Sequence, residues 1–161
     1  MAHVYVAGPV IRQSIDWDVA PWVQRVYEGV DSQARQQRHS AMLPMAETTL
    51  EQRDSREFFH EIRRRIATAE VVVAVFEPGD VACAIEATIA SVSGKKVLMV
   101  AKNSQDVPRL LEGLPGVRVL PDGGMVGGAL ADLLGETAPR PGAPRSGGSP
   151  RAGSPNRGEM P

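Results

Sequence analysis

Residues 71–76 read Val-Val-Val-Ala-Val-Phe, and residues 96–101 read Lys-Val-Leu-Met-Val-Ala. Both runs are almost continuously apolar, and the first is rich in β-branched residues. That is the pattern of strands buried on both faces of a parallel sheet, not of strands alternating between core and water. Between them, Asp80 to Ser93 is read as a helix. Asp80 is a favoured capping residue at its start, and Gly94 closes it. Two buried strands joined through a helix make a right-handed βαβ unit.

The same alternation continues in both directions. Upstream, Asp54 to Ala69 reads as a helix, with Asp54 and Glu57 at capping-box spacing and Phe58, Phe59, Ile62 and Ile66 on its apolar face. Ser40 to Met45 is a short strand candidate. Asp18 to Val30 carries Val19, Trp22, Val23, Val26 and Val30 at helical spacing, with Pro21 tolerable in a first turn. Ala2 to Ala7 is a strand stopped by the breaker pair Gly8-Pro9. Downstream come a helical turn at Pro108 to Leu111, a strand at Val117 to Leu120 and a helix at Met125 to Leu134. Strands alternating with helices predict an α/β fold. The expected form is a three-layer αβα sandwich on a five-stranded parallel sheet, flavodoxin-like or Rossmann-like. Ligands in such folds bind beyond the carboxyl ends of the strands, near the reversal in strand order, which directs attention to Gly8–Asp16 and Glu77–Glu86.

Composition bounds the rest. The chain has 161 residues, a net charge of -1 and 4% aromatic residues, which disfavours nucleic-acid binding through a basic, aromatic surface. That charge is a cancellation. From Thr137 onward the chain is mostly Pro, Gly, Ser, Ala and Arg, with Arg140, Arg145, Arg151 and Arg157 against Glu159, so this stretch is +3 and the rest is -4. Such a stretch has too little apolar surface to offset the entropy of ordering, so residues 1–135 are expected to be the domain and 136–161 a disordered tail. No run approaches the ~18 apolar residues of a membrane span, and the first residues lack the basic region of a signal peptide. The single cysteine, Cys83, excludes a disulfide framework. A soluble, cytoplasmic protein is the expectation. His3, His39 and His60 have no metal-ligand spacing, so no metal is expected, and neither a P-loop nor a G-x-G-x-x-G fingerprint is present, so no cofactor is expected.

One residue stands apart. Residues 81–90 read Val-Ala-Cys-Ala-Ile-Glu-Ala-Thr-Ile-Ala, and Glu86 is the only charge among them. A helix with so little polar surface is expected to be covered on both sides, by the sheet and by another subunit. A carboxylate there is desolvated unless it lines a cavity. Glu86 reads either as a nucleophile or general base in a pocket, or as a surface residue on the one exposed stripe. Asp80 reads either as an N-cap or as a carboxylate in a loop over a ligand. Gly8 permits close approach of a ligand or a neighbouring backbone, and Pro9, Arg12 and Ser14 complete a loop that is either substrate-binding or simply solvated.

These residues, taken in order, resemble the nucleoside 2-deoxyribosyltransferase family. Tyr5-Val6-Ala7-Gly8-Pro9 resembles its opening strand. Residues 71–100 are similar to its second signature: an apolar strand, an acidic loop with Asp80, a helix bearing Glu86, then Gly94-Lys95 and another strand. Leu43-Pro44 and Phe58 to Ala69 fall where the family has its second strand and the helix before the third. The resemblance spans roughly residues 3–101. It implies that Glu86 attacks the anomeric carbon of a nucleoside or nucleoside 5′-monophosphate, that the Tyr5 hydroxyl contacts that carboxylate, and that Asp80 lies near sugar and base. Glu61 falls one residue from where the family helix places an Asp, as a second acid. Arg12 and Ser14 suit a substrate phosphate. Thr88 stands where the family helix has glycine, adding bulk beside the pocket. The implied partners are a small-molecule nucleoside or nucleotide and a second copy of the chain in a homo-oligomer. A TIR-like NAD glycohydrolase and a non-catalytic nucleotide-binding module of the same fold are the alternatives.

Overall fold

The computed structural model describes residues 3–12, 17–47, 50, 52–120 and 125–137; Ser14 and the basic segment 138–161 lie outside them. The element order is β1 (His3–Ala7), α1 (Pro21–Gln36), β2 (Ser40–Met42), α2 (Ser55–Thr68), β3 (Val71–Phe76), α3 (Val81–Val92), β4 (Lys96–Ala101), α4 (Arg109–Glu112), β5 (Val117–Val119) and α5 (Val126–Thr137), with one 3₁₀ turn at Ser104–Asp106. All strand pairs are parallel, in the order β2-β1-β3-β4-β5. This is the flavodoxin-like order, whose reversal falls between β1 and β3.

The apolar runs serve two cores at once. In β1, Val4 and Val6 pack into a core with Val23, Tyr27 and Val30 of α1 and Leu130 of α5. Tyr5 and Ala7 point the other way, into a core with Ile62 and Ile66 of α2 and Cys83, Ala87 and Ala90 of α3. Residues 71–76 divide in the same manner, and all six are buried. Each buried valine contributes about 1.5–3 kcal/mol, so the central strand anchors both layers.

The caps follow the sequence. Asp54 accepts from the amides of Arg56 and Glu57 at 2.9 Å, and Asp80 accepts from the amide of Cys83 at 2.9 Å. Pro21 occupies the first turn of α1, and Gly94 takes a positive φ of 75° after α3. Several boundaries differ from expectation: helix α1 starts at Pro21 rather than Asp18, and three elements end three or more residues from where they were expected. Strand β2 ends at Met42 because Pro44 has no N–H to continue the ladder, yet the chain keeps its course: the Ile11 amide donates to Pro44 O and the Ala46 amide to Ile11 O, both at 2.8 Å. Helix α1 runs six residues past Val30, carried by the buried Ala34 one turn on. Helix α5 continues to Thr137, just past the expected domain end. Among the described residues no helix is long and apolar enough to cross a membrane.

Candidate active site

The switch between β1 and β3 brings two distant residues together. The side chain of Tyr5 faces the α2/α3 layer, and its hydroxyl donates to Glu86 Oε2 at 2.8 Å. Tyr5 is buried and Glu86 half-buried. Burial pushes the Glu86 carboxyl up to about 7; the Tyr5 hydrogen bond pulls it down, and the like charge of Asp80 pushes it further up. Burial first, then the charge of Glu86, holds the Tyr5 phenol far above its ordinary value, so it stays a donor. The pair lines a cavity of about 170 Å³, whose walls include Gly8, Ile62, Glu47 and Arg65.

The loop after β1 is fitted tightly against the sheet. Gly8 has a φ of 153°, and a Cβ there would meet the Tyr27 hydroxyl at 2.7 Å and Val75 O at 2.9 Å. Of the two close approaches the sequence allowed, the backbone of β3 is thus present at Gly8. Tyr27 donates to Pro9 O at 2.8 Å and supports the turn from below. The Arg12 amide donates to the Asp18 carboxylate at 2.8 Å, and its residue is exposed. Asp80 caps α3 and acts on Glu86 through its charge. Thr88 does not crowd the Glu86 cavity. It lines a separate groove of about 490 Å³ on the outer side of α3, and its hydroxyl donates back to Ala84 O at 2.8 Å.

That outer face is apolar and open rather than covered: Val81 is 68% exposed, Ile85 50% and Val92 72%. The helix is covered by the sheet on one side only, within this single chain.

Glu61 is not brought to Glu86. It accepts from Arg64 Nε and Nη2 at 2.9 and 2.7 Å and from Arg65 Nε at 2.8 Å. These bonds hold its carboxyl down at about 2. An acid so held is ionised at neutral pH and has no proton to give a leaving group. The same arginine reaches the cavity by its other edge: Arg65 Nη1 and Nη2 donate to Glu47 Oε1 and Oε2 at 2.7 and 2.8 Å. Neither Glu47 nor Arg65 is among the residues singled out in the sequence. The available signal was position, because Arg65 falls on the apolar stripe of Phe58, Ile62, Ile66 and Ala69. Among the described residues, no three His, Cys, Asp or Glu side chains gather as a metal site would require.

The chain matches no family model and no curated protein. Solved structures similar to it include the following two. One is a CMP N-glycosidase from Clostridium botulinum, with a TM-score of 0.56 and 14% identity over 82% of this chain and 98% of that one. The other is a 2-deoxyribosyltransferase from Bacillus psychrosaccharolyticus, with a TM-score of 0.54 and 14% identity over 81% of this chain and 91% of that one. The five-stranded α/β fold of this chain is therefore the fold of an N-glycosidase and of a 2-deoxyribosyltransferase.

Proposed function

We propose that this protein cleaves the N-glycosidic bond of a nucleoside or nucleoside 5′-monophosphate, with Glu86 as nucleophile. The observation that carries the reading is the Tyr5–Glu86 hydrogen bond inside a cavity at the switch point. The two structural relatives, named for N-glycosidase and deoxyribosyl transfer, support it.

Ionised Glu86 attacks the anomeric carbon through the oxygen not held by Tyr5. The C1′–N bond breaks, its electron pair goes to the base, and a glycosyl ester forms on Glu86. Water then gives free sugar, or a second base gives a new nucleoside, and Glu86 is regenerated. With a titration near 7 a substantial share of the carboxyl is still ionised at neutral pH, and in a desolvated site that carboxylate is a better nucleophile than in water. Tyr5 fixes the carboxylate and steadies its charge. Asp80 lines the outer groove rather than the cavity but acts on Glu86 through its charge, and is carried over from the resemblance as the second carboxyl for sugar or base. Gly8, Pro9 and Arg12 belong to the loop that would border the sugar and any phosphate, and Ser14 is carried over from the resemblance. The cavity falls below the ~300–1,000 Å³ of common ligand pockets, which suits a sugar held inside with its base at the mouth. A second copy of the chain would cover Val81, Ile85 and Val92 in the expected homo-oligomer.

The test is chromatographic detection of free base from a panel of nucleosides, nucleoside monophosphates and NAD. Base from a nucleoside or monophosphate, lost in Glu86→Ala, is expected. Base from NAD alone would move the reading to a NAD glycohydrolase. No base from any substrate, with wild type and Glu86→Ala indistinguishable, would overturn both.

A further inference from the structure

The cavity holds a second carboxylate that the proposed reaction does not use. Glu47 follows β2, lines the same space as Tyr5 and Glu86, and its side chain is 39% exposed, so it is accessible from the cavity. It is also held from both ends. Its side chain takes the two-pronged bond from Arg65, whose own side chain is 17% exposed and anchored to Glu61 on α2. Just before it, the chain is fastened to the loop after β1 by the Ile11–Pro44 and Ala46–Ile11 backbone bonds, and the Glu47 carbonyl accepts from the Leu50 amide at 2.9 Å.

A carboxylate offers about four acceptor positions, and the guanidinium fork fills two of them. Two remain. A surface ion pair contributes little to stability, and Arg65 already has Glu61 as a partner on its own helix. A rigid acceptor with free positions on a cavity wall is instead what recognition of a donor requires, because a fixed group loses little freedom when it binds.

We propose that Glu47, oriented by Arg65, is the specificity-determining residue of this cavity and accepts a hydrogen bond from an N–H or O–H donor of the bound nucleoside. The proposal rests on the nucleoside reading of the Glu86 site. Two donors of a nucleoside are tested by matched substrates: the 2′-hydroxyl, on the carbon beside the anomeric one, and the exocyclic amine, on the far side of the base. Arg65 is a positioning residue. Lysine in its place keeps the charge but cannot form the fork.

Two matched pairs test it: cytidine against uridine reports a base amine, and cytidine against 2′-deoxycytidine reports the 2′-hydroxyl. The readout is the ratio of kcat/KM within each pair for wild type, Glu47→Gln and Arg65→Lys. Loss of a charge-assisted hydrogen bond predicts that one ratio shifts by roughly 10-fold or more in Glu47→Gln, and in the same direction in Arg65→Lys. The pair that shifts identifies the donor. Equal change across all substrates would make Glu47 a structural tie and overturn the proposal, as would unchanged ratios. The same pairs are titrated calorimetrically onto Glu86→Gln with and without Glu47→Gln. If wild type releases no base but Glu47→Gln alters the binding ratios, the glycosidase reading fails and the specificity role stands. If neither nucleoside pair binds, both fall.

Discussion

Glu86 and Glu61 are the same residue type on packed neighbouring helices, α3 and α2, yet one is held at about 7 and the other at about 2. Their local surroundings explain the gap. Glu86 sits on a helix with no other charge within residues 81–90 and is met by a phenol, so desolvation dominates. Glu61 sits three and four residues before Arg64 and Arg65, so two guanidiniums dominate. In one place burial brings the carboxylate's titration close to neutrality; in the other two guanidiniums tie it into the scaffold. The proposed chemical role belongs to the first and a structural one to the second, and substitutions at each residue can break that contrast.

The largest expected effect is on Glu86. Glu86→Gln is nearly isosteric and keeps an acceptor for Tyr5, but it removes the proposed nucleophile, so base release should fall by at least ~10³-fold in a single-turnover assay. A loss below ~10-fold would show that the chemistry lies elsewhere.

The same substitution should stabilise the fold. The native carboxyl of Glu86 binds its proton more tightly than the unfolded one, so between about pH 4.5 and 7 the native state holds more protons and its stability falls as pH rises. Above pH 7 this cost is on the order of 3 kcal/mol. Glu86→Gln should recover most of it in urea melts at pH 8 and show no advantage near pH 4.5. An advantage independent of pH would indicate that burial of Glu86 is not what raises its titration.

Tyr5→Phe sharpens the comparison from the other side. The phenol is the one group that lowers the Glu86 titration, so its removal should move the rising limb of the kcat/KM profile from about 7 to higher pH. At pH 7 the rate should drop roughly 10- to 100-fold, the worth of one hydrogen bond to a charged group. A lower rate with an unmoved midpoint would mean that Tyr5 contacts substrate rather than tuning Glu86.

How much of this was readable in advance differs between the two carboxylates. Glu86 was legible because its neighbours in sequence are also its neighbours in space: a lone charge on an apolar helix is odd locally. Its partner Tyr5 was reached only through a family resemblance, since the contact crosses 81 positions and nothing in β1 marks a tyrosine for a helix in another layer. The central strands were legible for the same local reason as Glu86, because runs such as residues 71–76 can satisfy only a doubly covered strand. The end of β2 was missed by three residues, since apolar character continues past Pro44 while the ladder does not. Glu47 carried no sign in the sequence, and Arg65 only its place on the apolar stripe of Phe58, Ile62 and Ile66. Their bond depends on how the segment after β2 folds over α2, which nothing local marks.

The smallest effect is expected at Glu61, and it is the most discriminating test of the contrast. A group held near 2 adds stability above about pH 4.5 that is lost as pH falls toward 2. Its partner Arg64 is largely exposed, so solvent screens that pair and the contribution at pH 7 should stay below about 1 kcal/mol. Glu61→Gln should therefore melt within that margin of wild type at neutral pH, with the difference shrinking in acid. Arg65 would keep its two bonds to Glu47, so the cavity wall should hold its shape and base release should change by less than ~3-fold. If Glu61→Gln instead abolished release as Glu86→Gln does, with stability intact, the two guanidiniums would have to leave Glu61 when substrate arrives. The acid expected on this helix would then be a proton donor after all, and the difference between the two carboxylates would not separate their roles in the reaction.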